Sequence, residues 1–237
     1  MKHGIWKTLK FLLYVSWVIW HLSRMVEEQQ HGFAFEKWVV ELAKHINPDK
    51  SHLLVGYTHK WDLPAKLNPD PSGGPISIKT AKWNSSIGFG DARRQFQIDH
   101  KFTLVVGFWE KDGLRKRVVK IVPVIVEHSL WASLWKPITF TDLKNLDDQI
   151  KDRNQTYREA RQLAQCTVSA PPFSDSIFRV NPKIDSKVQR RLQCSLTQEK
   201  FFTHLAPTIN RDKEDSPTLW GQAMSPFLPG QSRFGAD

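Results

Sequence analysis

The 237-residue chain has little cysteine and no cysteine or histidine pattern typical of a metal site. Its two cysteines, Cys166 and Cys194, belong to no CxxC motif, and the nine histidines form no ligand-like pairs. A disulfide framework or a structural zinc site depends on such spacings, so the sequence argues against both. The low cysteine content fits a reducing compartment, and we expect the protein to be cytoplasmic.

The chain also lacks a hydrophobic run long enough to cross a bilayer comfortably. The run FLLYVSWVIWHL covers residues 11–22, whereas a transmembrane helix needs about 20 residues. Three lysines precede it and no small-x-small cleavage site follows it, so a cleaved signal peptide is disfavoured. Three interpretations stay open: a core or interfacial helix, an uncleaved anchor that would allow membrane association, and an extension ahead of a natural start at Met25. We expect residues 1–24 to be peripheral to function.

Negative charge is scarce relative to positive charge. The chain has 34 Lys and Arg against 24 Asp and Glu, a formal net charge of +10 and a pI of about 9.6. A folded domain this basic usually meets an acidic partner, most often nucleic acid and sometimes an anionic membrane. Solubility alone is the alternative explanation. No internal repeat is visible, so the length indicates one domain with appendages.

The hydrophobic pattern predicts an order of helix, three strands, helix and strand. Five apolar residues at helical spacing define the first helix, which Asn47-Pro48-Asp49 ends: Phe35, Trp38, Val39, Leu42 and Ile46. Three strands are predicted at residues 53–57, 61–63 and 76–82. A second helix follows at 90–101 and a fourth strand at 102–109. The last strand is continuously apolar, as expected for a strand buried on both faces.

A lysine in the middle of the third predicted strand needs an explanation. Lys79 has apolar neighbours in Ile76-Ser77-Ile78, and lysine is both a poor strand residue and costly to bury without a partner. Asp62 precedes Ser77 by fourteen intervening residues. If the two strands are adjacent, its carboxylate could pair with the ammonium.

This order of elements, with an aspartate ending one strand and Ser77-Ile78-Lys79 on the next, resembles the PD-(D/E)xK nuclease superfamily of many restriction endonucleases. The resemblance covers residues 33–125. It implies an α/β fold with a mixed central sheet and flanking helices, and Mg²⁺-dependent hydrolysis of DNA phosphodiester bonds. Asp62 would be the main metal ligand and Lys79 the cation that orients water and stabilises the transition state.

Ser77 departs from the pattern, because the superfamily usually has an acid at that position. Either the protein is a DNA-binding module that has lost catalysis, or a carboxylate from elsewhere replaces the missing ligand. Asp91, near the start of the second predicted helix, is one candidate; its alternative role is a helix N-cap. Glu36 in the first helix is the other, and its alternative role is a first-turn acid favoured by the helix dipole.

Several basic residues are candidates for DNA contact. Residues 181–196 are a basic stretch, and if it is helical from about Ser186, Lys187 and Arg190 or Arg191 share a face. The candidates are Lys82, Arg93, Arg94, Lys183, Lys187, Arg190 and Arg191. We expect double-stranded DNA and Mg²⁺ as partners, leave a homodimer open, and expect neither a small-molecule cofactor nor membrane contact.

The remaining segments complete the predicted organisation. Residues 115–131 should form a hairpin with 102–109, and residues 139–165 one long helix capped by Thr139 or Thr141. The tail from Arg211 should have little order, although Trp220, Phe227 and Phe234 could dock. The chain thus divides into residues 1–24, a nuclease-like core at 25–130, a helical extension at 131–200, and a tail at 201–237.

Overall fold

The computed structural model describes residues 34–49, 61–113, 115–185, 189–225 and 227–228. Within these ranges the fold is mixed α/β. The helices are α1 (residues 34–46), α2 (Ala92–Phe96), α3 (His128–Ser133), α4 (Phe140–Lys151), α5 (Tyr157–Val168) and α6 (Gln198–His204), with a 3-10 turn at Ala65–Leu67. The strands are β1 (Ile76–Lys82), β2 (Ile87–Asp91), β3 (Phe102–Asp112), β4 (Arg115–Val126), β5 (Arg179–Ile184), β6 (Arg190–Leu196), β7 (Thr218–Leu219), β8 (Gln222–Ala223) and β9 (Phe227–Leu228).

The central sheet is mixed, as the sequence predicted. Its strand order is β1-β3-β4-β9, with β1 parallel to β3 and β4 antiparallel to β3. The connection from β1 to β3 runs through β2 and α2, which gives the crossover that a parallel pair requires. The predicted hairpin between β3 and β4 is confirmed, and so is the buried apolar run of β3.

Alternate residues of β1 and β3 face two different hydrophobic clusters. Val106 and Phe108 face the larger cluster, whereas Val105 and Ile78 face the smaller one with α1. The ring of Phe35 on α1 lies so close to Gly107 that a Cβ there would come within 2.6 Å of it. Glycine at this position therefore lets α1 pack directly on β3.

The helix considered from about Ser186 in the basic stretch 181–196 is wrong. This stretch contributes β5 and β6, an antiparallel hairpin that extends β2 into a three-stranded sheet in the order β2-β6-β5. Leu192, Cys194 and Leu196 are buried at a spacing of two, which is the period of a strand. Pro182 is tolerated because β5 is an edge strand. The extension is therefore not purely helical.

The single long helix predicted over residues 139–165 is also wrong, because two helices occupy the region. Thr139 caps α4 as predicted, through a capping box with Asp142, but a second capping box at Thr156 and Glu159 begins α5. The predicted helix at 90–101 is reduced to α2, and β2 precedes it. The predicted strand at 115–131 ends at Val126, where α3 follows.

The predicted strand at 61–63 amounts to one isolated bridge between Leu63 and Ile76. The predicted strand at 53–57 and residues 1–24 lie outside the described residues. Residues 211–225, for which the sequence predicted little order, pack onto the sheets: Leu219 and Met224 are buried in the smaller cluster and Trp220 packs against it. Phe227 lies in β9, which pairs with β4, and Phe234 is outside the described residues.

The helices in the described part of the chain are too short or too polar for any of them to cross a membrane.

Candidate active site

The structure brings Asp62 and Lys79 together, as the sequence predicted. The Lys79 Nζ lies 3.3 Å from Asp62 Oδ2. The same carboxylate oxygen accepts a hydrogen bond from the Ile78 backbone N–H at 2.5 Å and a long one from the Ser77 hydroxyl at 3.5 Å. The carboxylate thus contacts all three residues of the Ser77-Ile78-Lys79 element.

The edge of β1 explains why the carboxylate lies there. Within the described sheet, β3 is the only strand along β1, so the other edge of β1 needs partners for its backbone groups. Leu63 pairs with Ile76 at the start of that edge. Further along, the Ile78 N–H donates to Asp62, and the Ile78 carbonyl accepts from Lys79 Nζ at 2.8 Å. The site therefore completes the hydrogen bonding of an edge strand.

Trp61 also supports this site, although the sequence did not predict that role. Its ring lies 5.0 Å from the ring of Phe102 and 5.2 Å from that of His100. This packing fixes the residue directly before Asp62 against the start of β3. In the sequence, only its position directly before Asp62 indicates that Trp61 contributes to the site.

Glu36 shares the electrostatic environment of the pair. Burial raises the pKa of the Glu36 carboxyl, the negative charge of Asp62 raises it further, and Lys79 opposes the rise. The packing of Phe35 against Gly107 holds this turn of α1 near β1. Glu36 therefore lies within electrostatic range of Asp62 and Lys79.

A divalent cation fits this pair of carboxylates by charge and by ligand type. The negative charge of Asp62 disfavours the ionisation of Glu36, and a bound cation would relieve that repulsion. Mg²⁺ prefers oxygen ligands and keeps several waters, so one or two protein carboxylates are sufficient. No group of three His, Cys, Asp or Glu suited to a metal occurs among the described residues.

Asp91 acts as a helix cap. Its Oδ1 accepts a hydrogen bond from the Arg94 N–H at 2.9 Å at the start of α2, and its side chain is exposed. Its charge and that of Lys79 both act on the buried thiol of Cys194, whose pKa is raised mainly by burial. The role of Asp91 as a metal ligand stays a prediction.

Two of the predicted DNA-contact residues are engaged within the protein. The Arg93 guanidinium pairs with the buried Asp147 carboxylate at 2.6 Å and lies over the ring of Phe140. Arg190 donates to the backbone carbonyls of Ile150, Asp152 and Gln155 at 3.1, 2.5 and 2.7 Å. Arg190 thus holds the connection between α4 and α5, which is a structural role.

The other predicted contact residues are on the surface where the structure describes them. Lys82 is exposed at the end of β1, and Arg94 is exposed on α2. Lys183 and Arg191 are exposed and directly opposite each other in the hairpin of β5 and β6. Lys187 lies outside the described residues. Like charges facing each other across a hairpin are unfavourable unless an anion lies near them.

Comparison of the chain with protein-family models, with curated proteins and with solved structures gives no significant match. The likeness to PD-(D/E)xK nucleases therefore stays a prediction from the order of elements and the motif. The functional argument rests on the residues and on the geometry described above.

Proposed function

We propose that the protein is a metal-dependent endonuclease of the restriction type that hydrolyses DNA phosphodiester bonds. The observation that carries the proposal is the 3.3 Å contact between Asp62 and Lys79 at the edge of β1. Stability alone does not explain this lysine, because apolar residues in place of a largely buried ion pair are often as stable or more so. A catalytic role accounts for its presence.

The chemistry assigns a separate task to each residue. Asp62 and Glu36 would hold Mg²⁺, which when bound offsets the negative charge of the scissile phosphate and makes water a better nucleophile. Lys79 Nζ is held by the Asp62 carboxylate and the Ile78 carbonyl. From there it orients the attacking water and stabilises the negative charge that develops on the phosphate oxygens. A cation placed in advance needs no reorganisation during the reaction.

Charge supports DNA as the substrate. The net charge of +10 attracts a polyanion. Lys82 extends the same strand as Lys79, and the exposed Lys183 and Arg191 form a second basic position. Each phosphate contact that these residues make should contribute a slope of about −0.9 to the dependence of log affinity on log salt.

A second candidate is a non-catalytic DNA-binding module, and the hydroxyl at position 77 favours it. The Ser77 hydroxyl takes the place of an acid and contacts Asp62 at 3.5 Å. Such a module would bind DNA with the same dependence on salt but would not cut it. Incubation with a broad panel of duplexes in Mg²⁺ or Mn²⁺, with Asp62→Asn as the control, separates the two functions. Metal-dependent cutting supports the nuclease, and binding without cutting supports the module.

A further inference from the structure

A cleft of about 430 Å³ opens where β1 ends, beside α6. Its lining includes Trp83 and Asn84, which follow β1, and Gln198 and Glu199 at the start of α6. Phe202 and Arg211 also line it. Small-molecule sites commonly measure about 300–1,000 Å³, so the cleft has room for one base with its sugar.

The cleft lies on the same face of β1 as Lys79. Side chains alternate along a strand, so Lys79, Ala81 and Trp83 share a face. The Trp83 N–H donates to the Trp109 carbonyl at 2.7 Å, which continues the strand geometry past Lys82. At about 3.3 Å per residue, Trp83 is about 13 Å from Lys79. Ala81 lies between them on this face and is buried in the larger cluster, so a strand that reaches both residues passes outside the core.

Aromatic rings and cations are combined in and around this cleft. The Trp83 ring meets Phe108 at an angle of 82°, which anchors it while leaving the residue half-buried. Lys213 Nζ lies 5.8 Å from the Trp83 ring centroid, and the Arg211 guanidinium lies 5.7 Å from that of Phe202. Exposed aromatic faces stack on unpaired bases, and neighbouring cations attract the strand that carries them.

The polar groups of the cleft favour a base over a phosphate. The Asn84 backbone has a positive φ of 61°, and its N–H donates to Gln198 Oε1 at 2.6 Å, which fixes the loop against α6. The Glu199 carboxylate is exposed at the cleft. A carboxylate repels phosphate but accepts a hydrogen bond from the amino group of cytosine, which thymine lacks.

We propose that this cleft binds one unstacked base of a DNA strand, with cytosine preferred over thymine. The inference rests on the proposed function for the identity of the strand. Trp83 supplies the stacking surface, Arg211 attracts the backbone, and Glu199 accepts from the exocyclic amino group. The cleft would thus select the sequence near the phosphate that Lys79 faces.

The test measures binding of labelled dC8 and dT8 to the full-length chain by fluorescence anisotropy in EDTA. Trp83→Ala should weaken dC8 binding about fivefold or more, as the loss of one base–aromatic stack predicts. Trp83→Phe keeps a ring and should retain most of the affinity. The matched control is Trp109→Ala, because Trp109 is also half-buried with a lysine, Lys116, over its ring, and lies outside the cleft.

The preference for cytosine has its own variant. The wild-type chain should bind dC8 more tightly than dT8, and Glu199→Gln should remove that difference because an amide can also donate to thymine O4. Equal effects of Trp83→Ala and Trp109→Ala would overturn the proposed base site. Equal binding of dC8 and dT8 by the wild-type chain would overturn the role of Glu199. Because no metal is present, the assay is independent of whether the protein cuts DNA.

Discussion

The Lys79 ammonium lies 3.3 Å from the Asp62 carboxylate and 2.8 Å from the Ile78 carbonyl oxygen. The lysine that interrupts the apolar pattern of β1 therefore has two oxygen partners within its own edge of the sheet. This arrangement offsets the cost of partial burial. It also directs a positive charge to the position where Asp62 and Glu36 place negative charge.

Asp62→Asn and Asp62→Ala should separate the structural role of Asp62 from its chemical role. The asparagine keeps an oxygen that can accept from the Ile78 N–H, whereas the alanine leaves that donor without its partner. An unpaired backbone donor costs about 1–3 kcal/mol if it is buried. Urea denaturation should therefore show Asp62→Ala as the less stable variant, while both variants lose cleavage. Equal stability of the two variants would contradict the assigned hydrogen bond.

Substitutions of Asp91 should decide between cap and metal ligand. Asn is as good a cap as Asp, so Asp91→Asn should keep wild-type stability, whereas Asp91→Ala should cost about 1 kcal/mol. If Asp91 is only a cap, Asp91→Asn also retains full cleavage. If it is a ligand, Asp91→Asn loses Mg²⁺-dependent cleavage while its denaturation midpoint stays unchanged. Measuring both quantities on the same preparation makes the result unambiguous.

Alanine substitution of Arg190 should lower stability, whereas alanine substitution of its neighbour Arg191 should lower DNA affinity. Arg190→Ala removes donors from three backbone carbonyls and should lower the free energy of unfolding by about 2–3 kcal/mol. Arg191→Ala should leave stability within about 0.5 kcal/mol, because it is an exposed surface change. It should instead weaken DNA binding and reduce the salt slope by about 0.9. A large loss of stability in Arg191→Ala would contradict this division.

Relative to a neutral residue at position 36, Glu36 should favour the folded protein more at acidic pH than at alkaline pH. Its pKa in the folded state is raised above the ordinary 4.5, so the folded state holds the proton more tightly than the unfolded state. That contribution is complete below pH 4.5 and is lost as the pH rises through the folded pKa. Thermal unfolding in EDTA should therefore show Glu36→Gln gaining Tm over the wild type as the pH rises from 4 to 8.

Glu41→Gln is the matched control for this pH dependence. Glu41 is an exposed glutamate on α1 that pairs with Lys44 one turn away. Its substitution should show no gain in Tm with rising pH. A Glu36→Gln variant that behaves like Glu41→Gln would contradict the raised pKa that burial and the charge of Asp62 give to Glu36.

The sequence predicted the parts of the site that depend on local pattern. The bounds of β1 at Ile76–Lys82 are confirmed, because alternating isoleucines and a preceding Gly-Gly-Pro mark a strand. The approach of Asp62 to Lys79 also matches the prediction. The sequence does not show how Asp62 reaches Lys79. The bridge between Leu63 and Ile76 that positions it is a single contact between residues distant in sequence.

The errors arose where charge concealed a strand period or a cap. In β6, Arg190 and Arg191 precede the alternation of Leu192, Cys194 and Leu196, so their charge favours a surface helix where the period of two indicates a strand. The Thr156 and Glu159 capping box was visible in the sequence, and it ends the apparent continuity of the long helix. The helical period of the sequence does not indicate this break, because polar residues predominate in both α4 and α5.

Cleavage of supercoiled plasmid and of a broad panel of duplexes in Mg²⁺ or Mn²⁺ tests the central claim most directly. The comparison is between the wild type, Lys79→Met, and the exposed control Lys144→Met, which loses only a surface pair with Asp148. The account predicts metal-dependent cutting by the wild type and by Lys144→Met. For Lys79→Met it predicts a cleavage rate reduced at least ~100-fold at similar DNA affinity. Cutting by Lys79→Met at the wild-type rate, or no cutting of any bound DNA by the wild type, would contradict it.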